Sequence, residues 1–588
     1  MSLPTKNSRS LLILGGIVLL AFVLRLYRVG TYGIYFDEKS TLLISQGVCV
    51  EGANQHDVFS KPYFSPKDFW SPKTFADFIE ANIRGDIGNS PAYYGVLWVW
   101  MEIFGMEDTA MRFPSVLFST FTIILLYVFV RRHFKSESLA LISSAIAAIE
   151  PFFVSYSHMA RNYSMTFFLT LLATHLFLLI LEKESRPKNK LGLYFAYCFT
   201  IAASVLSHYL TVTVFMCHGI YLLLYVRQTR IWVNLSIVAV VALGVVSSWF
   251  IFGGGKYTFF TLDYQAKFYR NLALTNPYNN GFGIILPATV SNVLKRSLPI
   301  WSDLVFFTNG LAAKVGGLRN FALSLGFGVA ATAILHLYRK KANPPVWVKV
   351  AFPLLLVVGL PFYTINPIHF FVLSAALPLY YLLLTTILED TNRQTRPLIV
   401  FLVVLSLVPT LFLLLMAFRS GHTYGITQRY SGFSFPYATI LVAMTFRKLA
   451  SLRQWFSWPL GAAIAVQVVF IGMLLVRIYQ DSDPKYTYFG NPRIANPMLT
   501  AANKIKAQYQ PGDTVLYPSL RRKEYTDIDK NGLPVSVIDA QLVNIYLPKE
   551  ADYYQRIDST ERDKIVLLKG KTGQKITIFD FEGSKYRY

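Results

Sequence analysis

The chain is dominated by apolar runs that are long enough to cross a lipid bilayer. A helical span needs about 20 predominantly apolar residues, and runs of roughly that length recur from residue 10 to about residue 477. Hydrophobic residues make up 53% of the sequence and charged residues only 15%, whereas an ordinary soluble domain carries about 25% charged residues. The sequence therefore predicts a polytopic α-helical membrane protein with a transmembrane domain over residues 1–477.

Residues 478–588 differ from the rest of the chain because they are polar and contain no run of spanning length. The stretches DTVLYPS, LPVSVIDA, KIVLLKG and KITIFDF combine β-branched residues with flanking Gly, Pro or Asp, a pattern typical of strands. The stretch MLTAANKIKAQY indicates a helix. We expect a small C-terminal α/β soluble domain, suited to contact with an acceptor or partner rather than to chemistry.

Basic residues cluster in short loops between the apolar runs, as the positive-inside rule describes. This explains the formal net charge of +23 better than nucleic-acid binding does. Lys6 and Arg9 precede the first run, which lacks a small-residue cleavage site and is therefore predicted to be a retained span. The N-terminus is then inside and loop 28–90 outside. The six basic loops are RRHFK (131–135), KESRPKNK (183–190), RQTR (227–230), YRKK (338–341), RQTR (393–396) and RKLASLR (447–453).

The segment 91–104 decides the topology. If it crossed the membrane, all six basic loops would lie outside, but it is shorter than a typical span. We therefore predict a partial or interfacial helix there, about thirteen spans in total, and a C-terminal domain on the outer side. The predicted spans are 10–27, 112–130, 138–155, 163–181, 191–207, 210–226, 231–252, 320–338, 346–364, 369–388, 397–418, 433–447 and 459–477.

An acidic pair, Asp37 and Glu38, follows the first span within the stretch GIYFDEKS. Carboxylates beside a span are costly near lipid and usually face water or a binding cavity. One of the pair could act as a general base while the other orients a ligand or a metal. A solvated loop pair is the alternative, which the neighbouring Tyr32, Tyr35 and Phe36 make less favourable.

The other candidate residues lie where predicted spans end on the outer side. The planar fork of arginine pairs bidentately with phosphate, so Arg161 and Arg429 are predicted to bind an anion. The alternatives are snorkelling of Arg161 to the membrane interface and simple packing of a lone histidine such as His208. The predicted substrate-binding residues are His158, Arg161, Tyr163, His208, Lys256, Arg429 and Tyr430.

Residues 253–318 are predicted to form a second long outer loop. Loops of this length without a span are often functional, for example as lids. Three consecutive glycines, 253–255, would give this loop a flexible entry. A plain break between span and loop is an equally good explanation of the glycines.

An acidic pair together with several outer cations suits a substrate that carries a phosphate and an acceptor that needs a base. A polyprenyl-phosphate sugar fits, because its tail stays in lipid and cations would stabilise the charge on its leaving phosphate. The sequence has no Walker phosphate loop, H-E-x-x-H or G-x-S-x-G motif, which disfavours pumps and proteases of those types. Its three cysteines show no metal-ligand spacing. The sequence specifies no cofactor, and the use of a divalent cation is left as an alternative.

These features resemble the GT-C glycosyltransferase superfamily, in the branch of the protein O-mannosyltransferases and the lipid A aminoarabinose transferase. The acidic pair carries one part of the resemblance. The block NSPAYYGVLWVWMEIFGMEDTAMRFPSVLFSTFTIILLYVFVRRHF (89–134) carries another, and the segments ARNYSM, SHY and RYSGFSFP are also similar. The resemblance implies that Asp37 is the base that activates the acceptor and that Glu38 assists it.

Two departures from that family pattern bear on the mechanism. Asn89-Ser90-Pro91 stands where relatives often carry His-Pro-Pro or Lys-Pro, so a charged contact to the donor is missing there. Arg161 lies near the place where some relatives have a second acid. This favours phosphate binding by Arg161 over a mechanism that uses two acids or a metal.

The leading functional hypothesis is inverting transfer of a sugar from a polyprenyl phosphate to a protein, lipid or glycan acceptor. The active site is expected on the periplasmic side of a bacterial inner membrane. A flippase or transporter of lipid-linked saccharides is the main alternative, but it would need ionisable residues in mid-span, whereas here they lie mostly at span ends. A non-catalytic cell-envelope assembly protein is a third hypothesis. The sequence specifies neither the sugar nor the acceptor.

Overall fold

The computed structural model describes residues 6–183, 191–280, 282–341, 343–482, 494–521, 533–558, 560 and 562–582. Up to residue 482 these residues are almost entirely helical. The first helices are α1 (Lys6–Leu26), α2 (Phe36–Ser45), α3 (His56–Phe59), α4 (Pro66–Phe69), α5 (Phe75–Asp86), α6 (Pro91–Phe104), α7 (Asp108–Phe134), α8 (Glu137–Ile149), α9 (Pro151–Ser157), α10 (Tyr163–Lys183), α11 (Leu191–Ser207), α12 (Val212–Tyr225) and α13 (Thr229–Phe252). They are followed by α14 (Gly255–Thr275), α15 (Val290–Leu304), α16 (Leu318–Tyr338), α17 (Val346–Val357), α18 (Pro367–Leu388), α19 (Arg396–Ser420), α20 (Gln428–Ser431), α21 (Phe435–Ala450) and α22 (Gln454–Tyr479).

The chain is an integral membrane protein by the length and apolarity of its helices. Within the described residues, 8 helices are long and apolar enough to cross a membrane, and α8 with α9 makes a ninth span if this pair, bent by 55°, counts as one. The bend falls at Glu150 and Pro151, because proline disfavours a helical conformation in the residue before it. Each predicted span coincides with a helix, but four of them are short, so the exact number of spans stays a prediction.

The residues that flank α6 on both sides contact the first loop and the α9–α10 connection. The first turn of α6 contacts the connection between α9 and α10, because the side-chain amide of Asn162 donates to the Ser90 hydroxyl. After α6 the chain enters α7, whose Arg112 contacts the start of α2. The partial crossing of the membrane by 91–104 stays a prediction.

Several predicted basic loops meet at the opposite end of the bundle. Arg339 after α16 and Lys448 at the end of α21 both pair with Glu389 after α18. Arg447 donates to Ser136, between α7 and α8. The loop 183–190 lies almost wholly outside the described residues, so its placement stays a prediction.

The described part of 478–588 contains two helices and a small sheet. The elements are α23 (Pro497–Gln508), β1 (Thr514–Pro518), α24 (Ile538–Tyr546), β2 (Tyr554–Asp558), β3 (Lys564–Leu568) and β4 (Lys575–Asp580). The strand order is β2-β1-β3-β4, with β1 parallel to β2 and antiparallel to β3. Three of the predicted strands and the predicted helix are present. LPVSVIDA was wrongly predicted as a strand, because its last residues open α24, whose apolar side chains are buried.

This C-terminal region shares its hydrophobic core with the first loop. Leu42, Phe69 and Tyr93 belong to the same buried cluster as Met498 and Val515. Phe64 forms an isolated antiparallel bridge with Gln555 of β2. The C-terminal region therefore packs on the first loop and lies at the same end of the bundle, and the predicted domain boundary at residue 478 stays a prediction.

The predicted long loop 253–318 is largely helical, because it contains α14 and α15. Helix α14 begins at Gly255, one residue after a close contact between backbones. A Cβ atom at Gly88 would lie 2.1 Å from the Gly254 carbonyl oxygen, so only glycine fits at Gly88. A Cβ atom at Gly254 would in turn lie 2.4 Å from Ile83 Cγ1 of α5, so glycine at these two positions lets the start of α14 pack closely against α5 and the turn after it.

Candidate functional site

The acidic pair occupies the first turn of α2. The chain leaves α1, turns, and re-enters a helix at Phe36 in such a way that both carboxylates lie at a helix N-terminus, where negative charge is stabilised. The Glu38 carboxylate accepts a hydrogen bond from the backbone N–H of Tyr35 at 3.2 Å and so caps the helix. The two side chains leave the helix in different directions and have different surroundings.

Glu38 is fully buried and forms a bidentate ion pair with Arg112 of α7. The Arg112 Nε donates to Oε1 at 2.8 Å and Nη2 donates to Oε2 at 2.7 Å. The backbone N–H of Ala160 donates to Oε1 at 2.7 Å. Arg112 also donates to the backbone carbonyls of Val29, Tyr32 and Gly33. Glu38 therefore joins α2, α7 and the α9–α10 connection instead of facing a substrate.

Asp37 keeps part of its surface open and lies between the two predicted anion-binding arginines. Its side chain is 19% exposed, and its Oδ2 lies 3.4 Å from Arg429 Nη1. Arg161 Nη1 donates to the Asp37 backbone carbonyl at 3.3 Å. Arg161 is 124 residues from Asp37 along the chain and Arg429 is 392 residues away, so the fold assembles three of the predicted residues at one point.

Arg161 is held by several groups at once. Its Nη1 donates to the Thr41 hydroxyl at 3.0 Å and to the Tyr94 hydroxyl at 3.2 Å. Its Nη2 lies 3.7 Å from Asp86 Oδ2. Burial lowers the pKa of Arg161, but Tyr94, Asp86 and Asp37 raise it, and the result lies well above the usual value. Arg161 is therefore a fixed positive charge, as the sequence predicts.

Asp86 is a further carboxylate of this cluster, and it was not among the residues predicted from the sequence. It ends α5, and its Oδ2 accepts a hydrogen bond from the Tyr94 hydroxyl at 2.5 Å. Burial raises the pKa of Asp86, whereas the charge of Arg161 opposes that shift. The signal in the sequence was a carboxylate just before the turn residues of IGNSP, but its proximity to Arg161 depends on the path of the whole first loop.

Three further predicted residues line the same cluster. The His208 ring lies against Tyr163 and Tyr430, with ring centroids 6.3 and 5.8 Å apart. Burial first, and then the charges of Arg161 and Arg429, lower the pKa of His208 to about 3, so its imidazole is neutral. The Arg429 guanidinium lies 4.7 Å from the centroid of the Tyr430 ring, a cation–π distance.

His158 and Lys256 are the two remaining residues that were predicted to bind substrate. The His158 ring lies 5.7 Å from the ring of Tyr479 on α22. Lys256 is exposed in the first turn of α14, with its Nζ 5.4 Å from the Tyr257 ring. The substrate-binding roles of His158 and Lys256 stay predictions.

The cluster combines a partly exposed carboxylate with two fixed cations. Asp37 can accept a proton, and Arg161 with Arg429 can hold an anion beside it. Within the part of the chain that the structure describes, no group of three or more His, Cys, Asp or Glu residues is placed to hold a metal ion.

Residues 89–252 match the family described as dolichyl-phosphate-mannose-protein mannosyltransferase. The match confirms, over that segment, the resemblance to protein O-mannosyltransferases predicted from the sequence. It begins within the turn that precedes α6 and contains Arg112, Arg161 and His208. No curated protein matches the chain.

The chain is also similar to several solved structures. The Archaeoglobus fulgidus oligosaccharyltransferase in the apo form has 15% identity and a TM-score of 0.41, over 86% of this chain and 59% of that one. AglB from the same archaeon, in complex with an inhibitory peptide and a dolichol-phosphate, has 16% identity and a TM-score of 0.41, over 93% and 61%. Apo ArnT from Cupriavidus metallidurans has 13% identity and a TM-score of 0.34, over 87% and 82%. The chain thus spans less than two thirds of the length of the archaeal proteins.

Proposed function

We propose that the protein is a membrane glycosyltransferase that moves a sugar from a polyprenyl phosphate to an acceptor at the end of the bundle where Asp37 lies. The observation that carries this proposal is the position of the Asp37 carboxylate, 3.4 Å from Arg429 and next to Arg161. A base beside two anion-binding cations is what displacement of a phosphate by an acceptor needs.

In the proposed reaction an acceptor oxygen attacks the anomeric carbon of the donor sugar. The bond from this carbon to the acceptor oxygen forms as its bond to the phosphate oxygen breaks, which inverts the configuration. Asp37 takes the proton of the acceptor, and Arg161 with Arg429 stabilises the charge that grows on the departing polyprenyl phosphate. Glu38 positions Asp37, because its ion pair with Arg112 fixes the first turn of α2.

The match over 89–252 supports a donor of this class, since the description of the matched family names a dolichyl-phosphate sugar and a protein acceptor. We therefore propose a polyprenyl-phosphate hexose as donor and a protein as the first acceptor class to test. The C-terminal sheet packs on the first loop at the end where Asp37 lies. We propose that this region contacts the incoming acceptor.

The test is sugar transfer by the purified protein in lipid nanodiscs, with a labelled polyprenyl-phosphate hexose as donor. A general base contributes about 10²–10⁴-fold to rate, so Asp37→Asn should lower transfer by at least the smaller of these factors. Asp263→Asn is a matched control, because Asp263 pairs with Lys267 on the exposed surface of α14. Transfer by Asp37→Asn at the level of the control would contradict the role of Asp37.

A further inference from the structure

Asp86 stands at the start of a strained turn. Ile87 and Ser90 have φ values of 51° and 56°, and Gly88 has a φ of 80°. The left-handed region is unfavourable for residues other than glycine, and most of all for a β-branched residue such as Ile87. Such strain persists only where the surrounding structure enforces it, and it is concentrated at functional sites.

Three elements far away in sequence enforce this turn. The hydroxyl of Tyr209 and the indole N–H of Trp249 both donate to the Gly88 carbonyl, at 2.6 and 2.8 Å. The hydroxyl of Thr258 on α14 donates to the Ile87 carbonyl at 2.7 Å. The position of Asp86 is thus fixed by the fold and does not depend on a freely moving loop.

The turn places the Asp86 carboxylate against one of the two proposed phosphate-binding arginines. Asp86 Oδ2 lies 3.7 Å from Arg161 Nη2, and the side chain of Asp86 is still 19% exposed. Tyr94 links the two residues, since its hydroxyl donates to Asp86 and accepts from Arg161 Nη1. A ligand phosphate that binds Arg161 therefore meets a negative charge already paired with that arginine.

We propose that Asp86 is a positioning residue that weakens the hold of Arg161 on phosphate and so promotes release of the product. This inference rests on the proposed function. The donor phosphodiester carries one negative charge, whereas a phosphate monoester carries about 1.5 to 2 at neutral pH. Two arginines alone would therefore hold the product more tightly than the donor. The fixed Asp86 carboxylate opposes the more highly charged product most, and release of product limits many enzymes.

The experiment measures the binding of two probes to the full-length protein in nanodiscs: polyprenyl monophosphate, and the corresponding polyprenol, which lacks the phosphate. The wild-type protein should bind the phosphate more tightly than the alcohol. Asp86→Asn should tighten binding of the monophosphate by about tenfold or more and leave polyprenol binding unchanged. In steady-state transfer the same variant should lower both the donor KM and kcat.

Glu80→Gln is the matched control. Glu80 lies on α5 as Asp86 does, and it pairs with Arg84 at the surface. Glu80→Gln removes the same charge from the same helix. It should change neither the affinity for polyprenyl monophosphate nor that for polyprenol. If Asp86→Asn does not accumulate as folded protein, Asp86→Ser removes the charge but keeps an acceptor for the Tyr94 hydroxyl.

The outcomes separate this inference from the function on which it rests. If the wild-type protein binds polyprenol as tightly as the monophosphate, the proposed phosphate site itself is wrong. If the wild-type protein prefers the monophosphate but the Asp86 variants bind the monophosphate with the wild-type affinity, only the role of Asp86 is overturned. Weaker monophosphate binding in these variants would overturn that role too, because Asp86 would then support the grip of Arg161 on phosphate.

Discussion

Replacement of Glu38 by glutamine should lower the temperature at which the protein unfolds. It should not remove a group that takes part directly in the chemistry. Both Glu38 carboxylate oxygens are occupied, by Arg112 and by the backbone N–H groups of Ala160 and Tyr35. The side chains of Glu38 and Arg112 are 0% and 1% exposed. Removal of one partner from such a buried pair leaves a buried charge without its counterion, which costs about 3–5 kcal/mol.

The neighbouring acid should behave differently. Asp37 has one contact of 3.4 Å with Arg429 and is partly exposed, whereas Glu38 is held by two charge-assisted hydrogen bonds from Arg112 and by two backbone N–H groups. Asp37→Asn should therefore unfold at nearly the wild-type temperature while losing transfer. Glu38→Gln should unfold at a clearly lower temperature, and where it is still folded it should lose less transfer than Asp37→Asn does, because Glu38 positions Asp37 and does not itself take the proton.

The assay is thermal unfolding in detergent, followed by circular dichroism, in parallel with transfer measured at a temperature where Glu38→Gln is still folded. The double variant Glu38→Gln with Arg112→Met removes both charges and should recover part of the lost stability. A Glu38→Gln protein as stable as the wild type but inactive would contradict this assignment, because Glu38 would then act in the chemistry itself.

Three further predictions concern the arginines, the buried histidine and the topology. Arg161→Ala and Arg429→Ala should each weaken donor binding or transfer by about 10- to 150-fold, since a charged hydrogen bond contributes about 1.5–3 kcal/mol. The Lys variants should recover only part of this loss. Full activity of both Lys variants would show that these arginines are interface anchors. The folded-state pKa of His208, about 3, lies below the unfolded value of about 6.5, so the burial of His208 lowers the stability of the protein progressively as the pH falls from 6.5 towards 3. His208→Gln should lessen this loss of stability in acid. An unchanged pH dependence of unfolding in this variant would contradict the neutral buried state of His208. Cysteines placed at the exposed positions Lys340 and Lys571 should be labelled from opposite sides of the membrane, with Lys571 accessible from outside, and labelling of both from one side would invalidate the assignment of the two ends.

The sequence was sufficient for the parts of this protein that depend on local pattern. Apolar run length predicted the long helices, and charge at run ends identified Asp37, Arg161 and Arg429. These three residues meet because they lie at the same end of their helices, and a correct topology is enough to predict that. Three strands and one helix of the C-terminal region also follow from alternation and flanking residues.

Features that depend on packing between distant segments could not be predicted in this way. Arg112 lies at the edge of an apolar run, and nothing local shows that it pairs with Glu38, 74 residues earlier. Asp86 lies within the long first loop, and nothing in the neighbouring sequence shows that it contacts Arg161. That contact depends on a strained turn that other helices enforce. The stretch LPVSVIDA is apolar enough for either a strand or a buried helix, and packing against the first loop decided for the helix.

The proposed glycosyl transfer can be tested in proteoliposomes that contain the wild-type protein, a sugar-labelled polyprenyl phosphate and a protein acceptor. Free polyprenyl phosphate and glycosylated acceptor should appear in equal amounts, and Asp37→Asn should form neither at an appreciable rate. Movement of intact labelled donor across the bilayer without cleavage would contradict the proposed transfer and would identify the protein as a transporter of lipid-linked sugar.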